Sequence, residues 1–263
     1  MRSIWNGAIS FGLINVPVKM FTATEDKDLR FRLLHKACQA PLKQKRVCSA
    51  CGQEVAWDDT VRGYEWEPGR FTLITEEELD GLQGAASRSI DILDFVNLED
   101  IDPIYFHKTY YLAPSETGKK AYHLLRTAME ETGKIAVGKV HLREKQHLVT
   151  LRVIADCIVM ALMFYPDEIR DAAEVPAIHE AVVIQDAERR MALELIERLA
   201  EPFVAAKYTD TYRGELLALL TAKAEGGEIS AVATQPAARV GDLMEALRAS
   251  LALVDEQRRK AIS

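Results

Sequence analysis

Residues 35–52, HKACQAPLKQKRVCSACG, gather three of the four cysteines, one of the six histidines and four Lys and Arg. Cys48-Ser49-Ala50-Cys51-Gly52 has the spacing of a metal knuckle. A tight turn there aims both sulfurs at one ion, and Gly52 tolerates the positive φ that such a turn favours. His35 and Cys38, at the same spacing, would supply the other two ligands. A Cys3His set is closed and leaves no open position for water. Zinc held by His35, Cys38, Cys48 and Cys51 is therefore structural and not catalytic. The His35 half matches less well, because Gln39 stands where a knuckle prefers glycine. The competing reading is a flexible arm with free, reduced thiols, and both remain open. A thioredoxin-like dithiol would need a βαβ context that is missing around Cys48 and Cys51. Cys157, next to Ile158 and Val159, reads as a core residue.

Other chemistry is sparse. The chain carries no G-x-x-x-x-G-K-[ST], G-x-G-x-x-G or G-x-S-x-G motif. His107, His123, His141, His147 and His179 are scattered and read as surface or packing residues. Carboxylates fall mainly on helix faces. The sequence gives no positive argument for an enzyme, and no organic cofactor is expected.

Charge is more informative. The net charge is −7, but residues 1–70 hold 11 Lys and Arg against 8 Asp and Glu, whereas residues 71–263 hold 22 against 32. Within residues 29–53, Arg30, Arg32, Lys36, Lys43, Lys45 and Arg46 face no acidic residue. Residues 118–152 hold eight basic residues against three acidic, and residues 167–201 hold four against ten. Local field, not net charge, decides where a polyanion can sit. The bland alternative, solvated surface, holds for most single clusters.

The elements that must carry these residues follow from pattern. The first 22 residues are β-branched and aromatic, with Gly12 and Pro17 opposing a long helix, and read as strand rather than signal peptide. Residues 29–70 lack helical periodicity. VRGYEW and RFTLI flank Glu67-Pro68-Gly69 as a hairpin. Thr75 with Glu78 caps a short helix ending near Gly81. Residues 89–96 and 105–112 are strand candidates. Ala121, Leu124, Leu125 and Ala128 mark a helix stopped by Gly133. Residues 135–142, 147–154 and 158–165 read as an antiparallel meander. Helices are expected over 186–200, 210–225 and from 242 onward, with 227–238 a linker. The last two helices are expected to pair with each other or with a partner. No internal repeat is evident, no apolar run is long enough to span a bilayer, and the cysteine usage suits a reducing, cytoplasmic setting.

Several long blocks, SIWNGAISFGLINVPVKMFTAT, HKACQAPLKQKRVCSACGQEV, VRGYEW, TGKKAYHLLRTAMEETGKIAVGKVHLREKQHLVTLRV, FYPDEIR and YTDTYRGELLALLTAKAEGG, occur in one order. Together they resemble the bacterial Ku family of non-homologous end joining, from residue 2 to about residue 228, and more weakly in VGDLMEALRASL. The resemblance implies an α+β fold: an antiparallel β-barrel core over 1–204, with an extended β bridge at about 29–70, and C-terminal helices over 205–263. It implies that two subunits close a DNA-encircling ring through their bridges, that the homodimer protects double-stranded DNA ends, and that the 205–263 segment engages an ATP-dependent DNA ligase. A cytoplasmic, nucleoid-associated location follows, with no membrane partner. A long Lys-rich tail seen in many relatives is absent, the chain ending after Arg258, Arg259 and Lys260. The His/Cys set is not universal in the family, so metal is not expected to be required for its function.

Binding any end means reading phosphates and not base edges. Arg30, Arg32, Lys36, Lys43, Lys45 and Arg46 on the bridge are the expected DNA contacts, with Lys134, Lys139, Arg143 and Lys145 of the meander lining the same channel. A strand advances about 3.3 Å per residue, so a two-stranded arm of this length could cross a duplex. The acidic helical region would lie away from DNA. The rival reading is a zinc-ribbon adaptor that contacts proteins alone.

Overall fold

A computed structural model describes residues 1–82, 88–142, 145–176, 178, 180, 182–226 and 243–262. The chain divides into two compact units, Met1–Glu174 and Val175–Ser263. The division expected at 204/205 follows the family resemblance rather than packing.

The first unit is a closed barrel of seven strands. Strands β1 (Trp5–Phe11) and β2 (Ile14–Thr22) form a hairpin through Gly12, whose φ of +57° suits a residue without a Cβ. Two further strands, β3 (Arg62–Glu67) and β4 (Arg70–Ile74), lie outside the barrel as a separate hairpin. The barrel continues with β5 (Ser89–Val96), β6 (Phe106–Pro114), β7 (Ile135–Leu142), β8 (Lys145–Ile154) and β9 (Cys157–Met163), in the spatial order β1-β2-β6-β9-β8-β7-β5. Every neighbouring pair is antiparallel except β1 with β5, which closes the barrel in parallel. Side chains alternate across each strand, so Ile9, Val16, Val18, Ile90, Leu151 and Met160 all reach the core. Strand β9 is buried along almost its whole length, on both faces.

Helix α1 (Glu76–Leu82) follows β4 and opens with the expected capping box. Glu78 N donates to Thr75 Oγ1 at 3.2 Å, and Thr75 N donates to Glu78 Oε2 at 2.9 Å. Helix α2 (Lys119–Thr132) ends at Gly133, whose φ is +65°. It differs from the expected stripe. The buried side chains are Tyr122, Leu125 and Met129, whereas Leu124 is 68% exposed. Tyr122, Leu125 and Met129, spaced i, i+3, i+7 on one face, join the barrel core, and Ala121, Leu124 and Ala128 lie along a groove of about 410 Å³ that Leu125 and Met129 also line. Tyr122 fixes the helix to the sheet: its hydroxyl donates to Leu112 O at 2.6 Å and accepts from Ile158 N at 2.7 Å. Cys157 is half-buried, with its Sγ 3.5 Å from Leu112 O.

In the second unit, α3 (Asp186–Leu199), α4 (Thr211–Ala224) and α5 (Leu243–Ile262) occupy the three expected helical segments. Asp210 caps α4 by accepting from Arg213 N at 2.9 Å. The pairing seen is α5 with α3, and Arg198 bridges Glu194 and Asp255 between them. The expected linker over 227–238 lies outside the described residues. No described helix is long and apolar enough to cross a membrane.

Candidate nucleic-acid interface

The excursion between β2 and β5 opens with two turns built on one plan. In the first, His35 N donates to Ala40 O (2.9 Å), Gln39 N to His35 O (2.7 Å) and Leu42 N to Leu33 O (3.1 Å). In the second, Cys48 N donates to Gln53 O, Gly52 N to Cys48 O and Val55 N to Arg46 O, each at 2.9 Å. Every bond of the first recurs 13 residues later, as do the bridges Leu34↔Pro41 and Val47↔Glu54. This corrects the reading that the chain holds no internal repeat: a short one exists, hidden because only Ala37/Ala50 and Cys38/Cys51 are identical within the two turns. Gln39 takes the same left-handed conformation as Gly52, with φ of +56° against +71°. The turn thus forms without glycine, at a cost of about 1–2 kcal/mol.

The four residues expected to hold zinc stand as two pairs. His35 Nδ1 and Cys38 Sγ are 3.0 Å apart. Cys48 is held below the usual thiol range, first by the backbone N–H of Cys51, then by that of Ala50 and by the Cys51 side chain. Backbone N–H groups aimed at a sulfur favour thiolate, the form that ligates metal. Among the described residues, no three His, Cys, Asp or Glu side chains gather as a metal site. Each turn is closed by its own backbone bonds, and a bound ion would draw the two together.

The expected DNA contacts fall into two groups. Five are engaged within the chain. Arg30 pairs with Asp26 at 2.9 Å, Lys45 with Glu54 at 2.6 Å and Lys145 with Glu168 at 2.5 Å. Arg46 stacks on the Trp57 ring, 4.5 Å from its centroid, and Lys134 donates to Asn97 Oδ1 at 2.6 Å. Glu168 raises the Lys145 ammonium above its ordinary value and is itself held down by it. Arg32, Lys36, Lys43 and Lys139 have no ion-pair or hydrogen-bond partner among the described residues. Arg143 lies outside the described residues. Lys134 and Lys145 mark opposite ends of the β7–β8 hairpin, separated by the eight residues of β7, about 25 Å. Lys139 sits between them, in register with Asp91 and Leu148. The meander cations are therefore strung along a strand rather than gathered in a patch.

The β3–β4 hairpin has a different character. Residues 62–78 hold two arginines against five glutamates. Tyr64, Trp66, Phe71 and Leu73 are all exposed on it. The cations of the excursion thus concentrate before residue 55, whereas exposed apolar side chains run through all of it, from Phe31, Leu33 and Leu42 to the aromatic residues of the hairpin. Sequence windows hide two features. Asp26 and Glu54 lie just outside the acid-free stretch and pair into it, and Trp57 carries no signal until Arg46 is seen over its ring.

Fold and site define a β-barrel protein with a cationic, twice-knuckled excursion. The Ku70/Ku80 beta-barrel domain family matches residues 10–191, and the chain belongs to the Ku family. A protein of Heliobacterium modesticaldum named non-homologous end joining protein Ku is 46% identical over 261 residues, covering 99% of this chain and 95% of its own. Its namesake in Bacillus subtilis is 43% identical, over 95% of this chain and 82% of its own. The one in Archaeoglobus fulgidus is 37% identical, over 97% and 100%. The expected α+β barrel fold stands.

Proposed function

We propose that this chain binds the ends of double-stranded DNA without reading their sequence, acting in non-homologous end joining. The observation that carries the reading is the run of cations on the excursion, with the side chains of Arg32, Lys36 and Lys43 unpartnered among the described residues and no α-helix described within residues 29–70. Contacts of that kind read phosphates and leave base edges alone. The working form is a homodimer whose two excursions close a ring around the duplex. Support comes from the β3–β4 hairpin: a two-stranded sheet with exposed aromatic residues is marginal alone and gains stability from a second sheet or copy. The 205–263 segment engages a DNA ligase, the ring protects the end until sealing, and the protein works in the cytoplasm at the nucleoid. No catalytic role is proposed.

Zinc, coordinated by His35, Cys38, Cys48 and Cys51, holds the two knuckles together and so fixes the cations between them. The matched turns and the thiolate-favouring surroundings of Cys48 support it. Elemental analysis checks it: a content below about one zinc per two chains leaves the free-thiol reading.

Filter binding to a blunt duplex tests the function. Binding should be independent of sequence and fall steeply with salt, as each neutralised phosphate releases counterions. A second reading, a protein-binding zinc ribbon, draws on the exposed apolar residues of the hairpin. Failure to retain blunt duplex at low salt would favour it.

A further inference from the structure

Trp57 is 68% exposed, yet its backbone is fixed. Thr60 N and Oγ1 both donate to Trp57 O, at 3.1 and 2.7 Å, closing a 3-10 turn. Arg46, on the partner strand of the second knuckle, covers one ring face, and Val55 N to Arg46 O ties the two strands. The other ring face has no aromatic or cationic partner among the described residues. An exposed indole with a guanidinium behind it is a stacking platform, and stacking on an aromatic ring binds unpaired bases of any sequence.

From this we infer that Trp57 and Arg46 form a site for unpaired bases, so that the excursion grips the single-stranded overhang of a DNA end as well as its duplex. The inference rests on the end-binding reading and extends it to a second form of DNA. Charge argues for nucleic acid over a second copy of the chain at this spot. Lys43, whose side chain has no partner among the described residues, precedes the platform in sequence and attracts a backbone, as does Lys45 on exchanging Glu54, whereas a protein interface would have to desolvate Arg46 together with Asp58 and Asp59. Asp58 and Asp59, exposed and next to Trp57 in sequence, disfavour phosphates near the ring and offer acceptors to base N–H groups, the N3–H of thymine included. Trp66 of the β3–β4 hairpin also lies under a guanidinium, that of Arg70 at 4.3 Å from the ring centroid, but Arg70 is paired with Glu67 and residues 62–78 hold five glutamates against two arginines, a poorer setting for a phosphate backbone.

The test compares a blunt duplex with the same duplex bearing an oligothymidine tail, by anisotropy at one salt concentration. The native protein should bind the tailed duplex about fivefold or more tightly than the blunt one. Trp57→Leu keeps apolar bulk without a ring and should lose that difference while retaining blunt affinity. Trp57→Phe keeps a ring and should retain most of it. A tail advantage that persists in Trp57→Leu overturns the inference, as does its absence from a native protein that binds blunt duplex. Should the native protein fail on blunt duplex, the end-binding reading falls by itself. Free oligothymidine then decides the platform: binding by native protein and not by Trp57→Leu upholds it, and any other result overturns it.

Discussion

At the scale of residues, the structure ranks cations that the sequence presents as equals. On the proposed function, Arg32, Lys36 and Lys43 would meet a phosphate without first giving up a carboxylate, whereas Arg30, Lys45 and Lys145 would have to exchange one. Surface pairs of this kind are worth about 0–1 kcal/mol, so exchange is feasible but subtracts from the gain. Neutralising Arg32, Lys36 and Lys43 together should lower the slope of log affinity against log salt by about 0.9 for each phosphate left without its cation. Neutralising Arg30, Lys45 and Lys145 should lower it less, and equal slopes in a salt titration would contradict the ranking. Tyr122 invites a stability test. Tyr122→Phe leaves Leu112 O and Ile158 N without their partner and should cost about 1–3 kcal/mol in chemical denaturation. Burial pushes its hydroxyl up to about 12 from 10.0. The fold therefore favours the neutral phenol, a contribution complete below pH 10 and lost as pH rises through about 12. Tyr122→Phe should flatten that alkaline fall, and an unchanged fall would assign it to other groups. None of this ranking is legible in the sequence, because an ion pair depends on which side chains a turn brings together. Asp26 lies four residues from Arg30 and Glu54 nine from Lys45, outside the window in which the stretch looks purely basic.

At the scale of elements, local patterns reach far. Strand β5 (Ser89–Val96) and strand β7 (Ile135–Leu142) match the expected bounds, since alternation of apolar and polar residues is the direct imprint of a half-buried strand. Strand β8 begins two residues earlier than expected, because Lys145 and Gln146 continue the ladder opposite Leu142 and His141 although neither is apolar. The buried face of α2 departs from expectation for a related reason. Spacing alone gives Ala121, Leu124, Leu125 and Ala128 equal standing, but the face that meets the barrel is turned to the i, i+3, i+7 set Tyr122, Leu125 and Met129, which shares only Leu125 with it. The first knuckle offers a clean test of element geometry. Gln39→Gly should stabilise the excursion by about 1 kcal/mol, read as slower amide exchange at Leu42 than in the native protein. Faster exchange would mean that the left-handed turn is not the stable form. On the hairpin, replacing Trp66 and Phe71 by serine should raise the dimer dissociation constant about tenfold or more, measured by light scattering over a dilution series. An unchanged constant would move the dimer contact off this element.

At the scale of the whole molecule, the order of blocks along the chain is enough to mark the family, and the barrel, the excursion and the helices follow that order. Closure of the barrel is less legible. The parallel pairing of β1 with β5 spans the entire excursion, and no local pattern announces a partner so distant. The proposed ring would belong to two copies of the chain, so its effect has to be read on DNA topology. A preformed ring loads only where a duplex has an end and stays on if that end is then blocked. The decisive measurement compares retention on a linear duplex with retention on a sealed minicircle of the same sequence, at protein concentrations near the dissociation constant. Binding to the linear form, near-absence on the circle and salt-resistant trapping once the ends are blocked are the expected results. Equal binding to both forms would contradict the account, whatever the affinity.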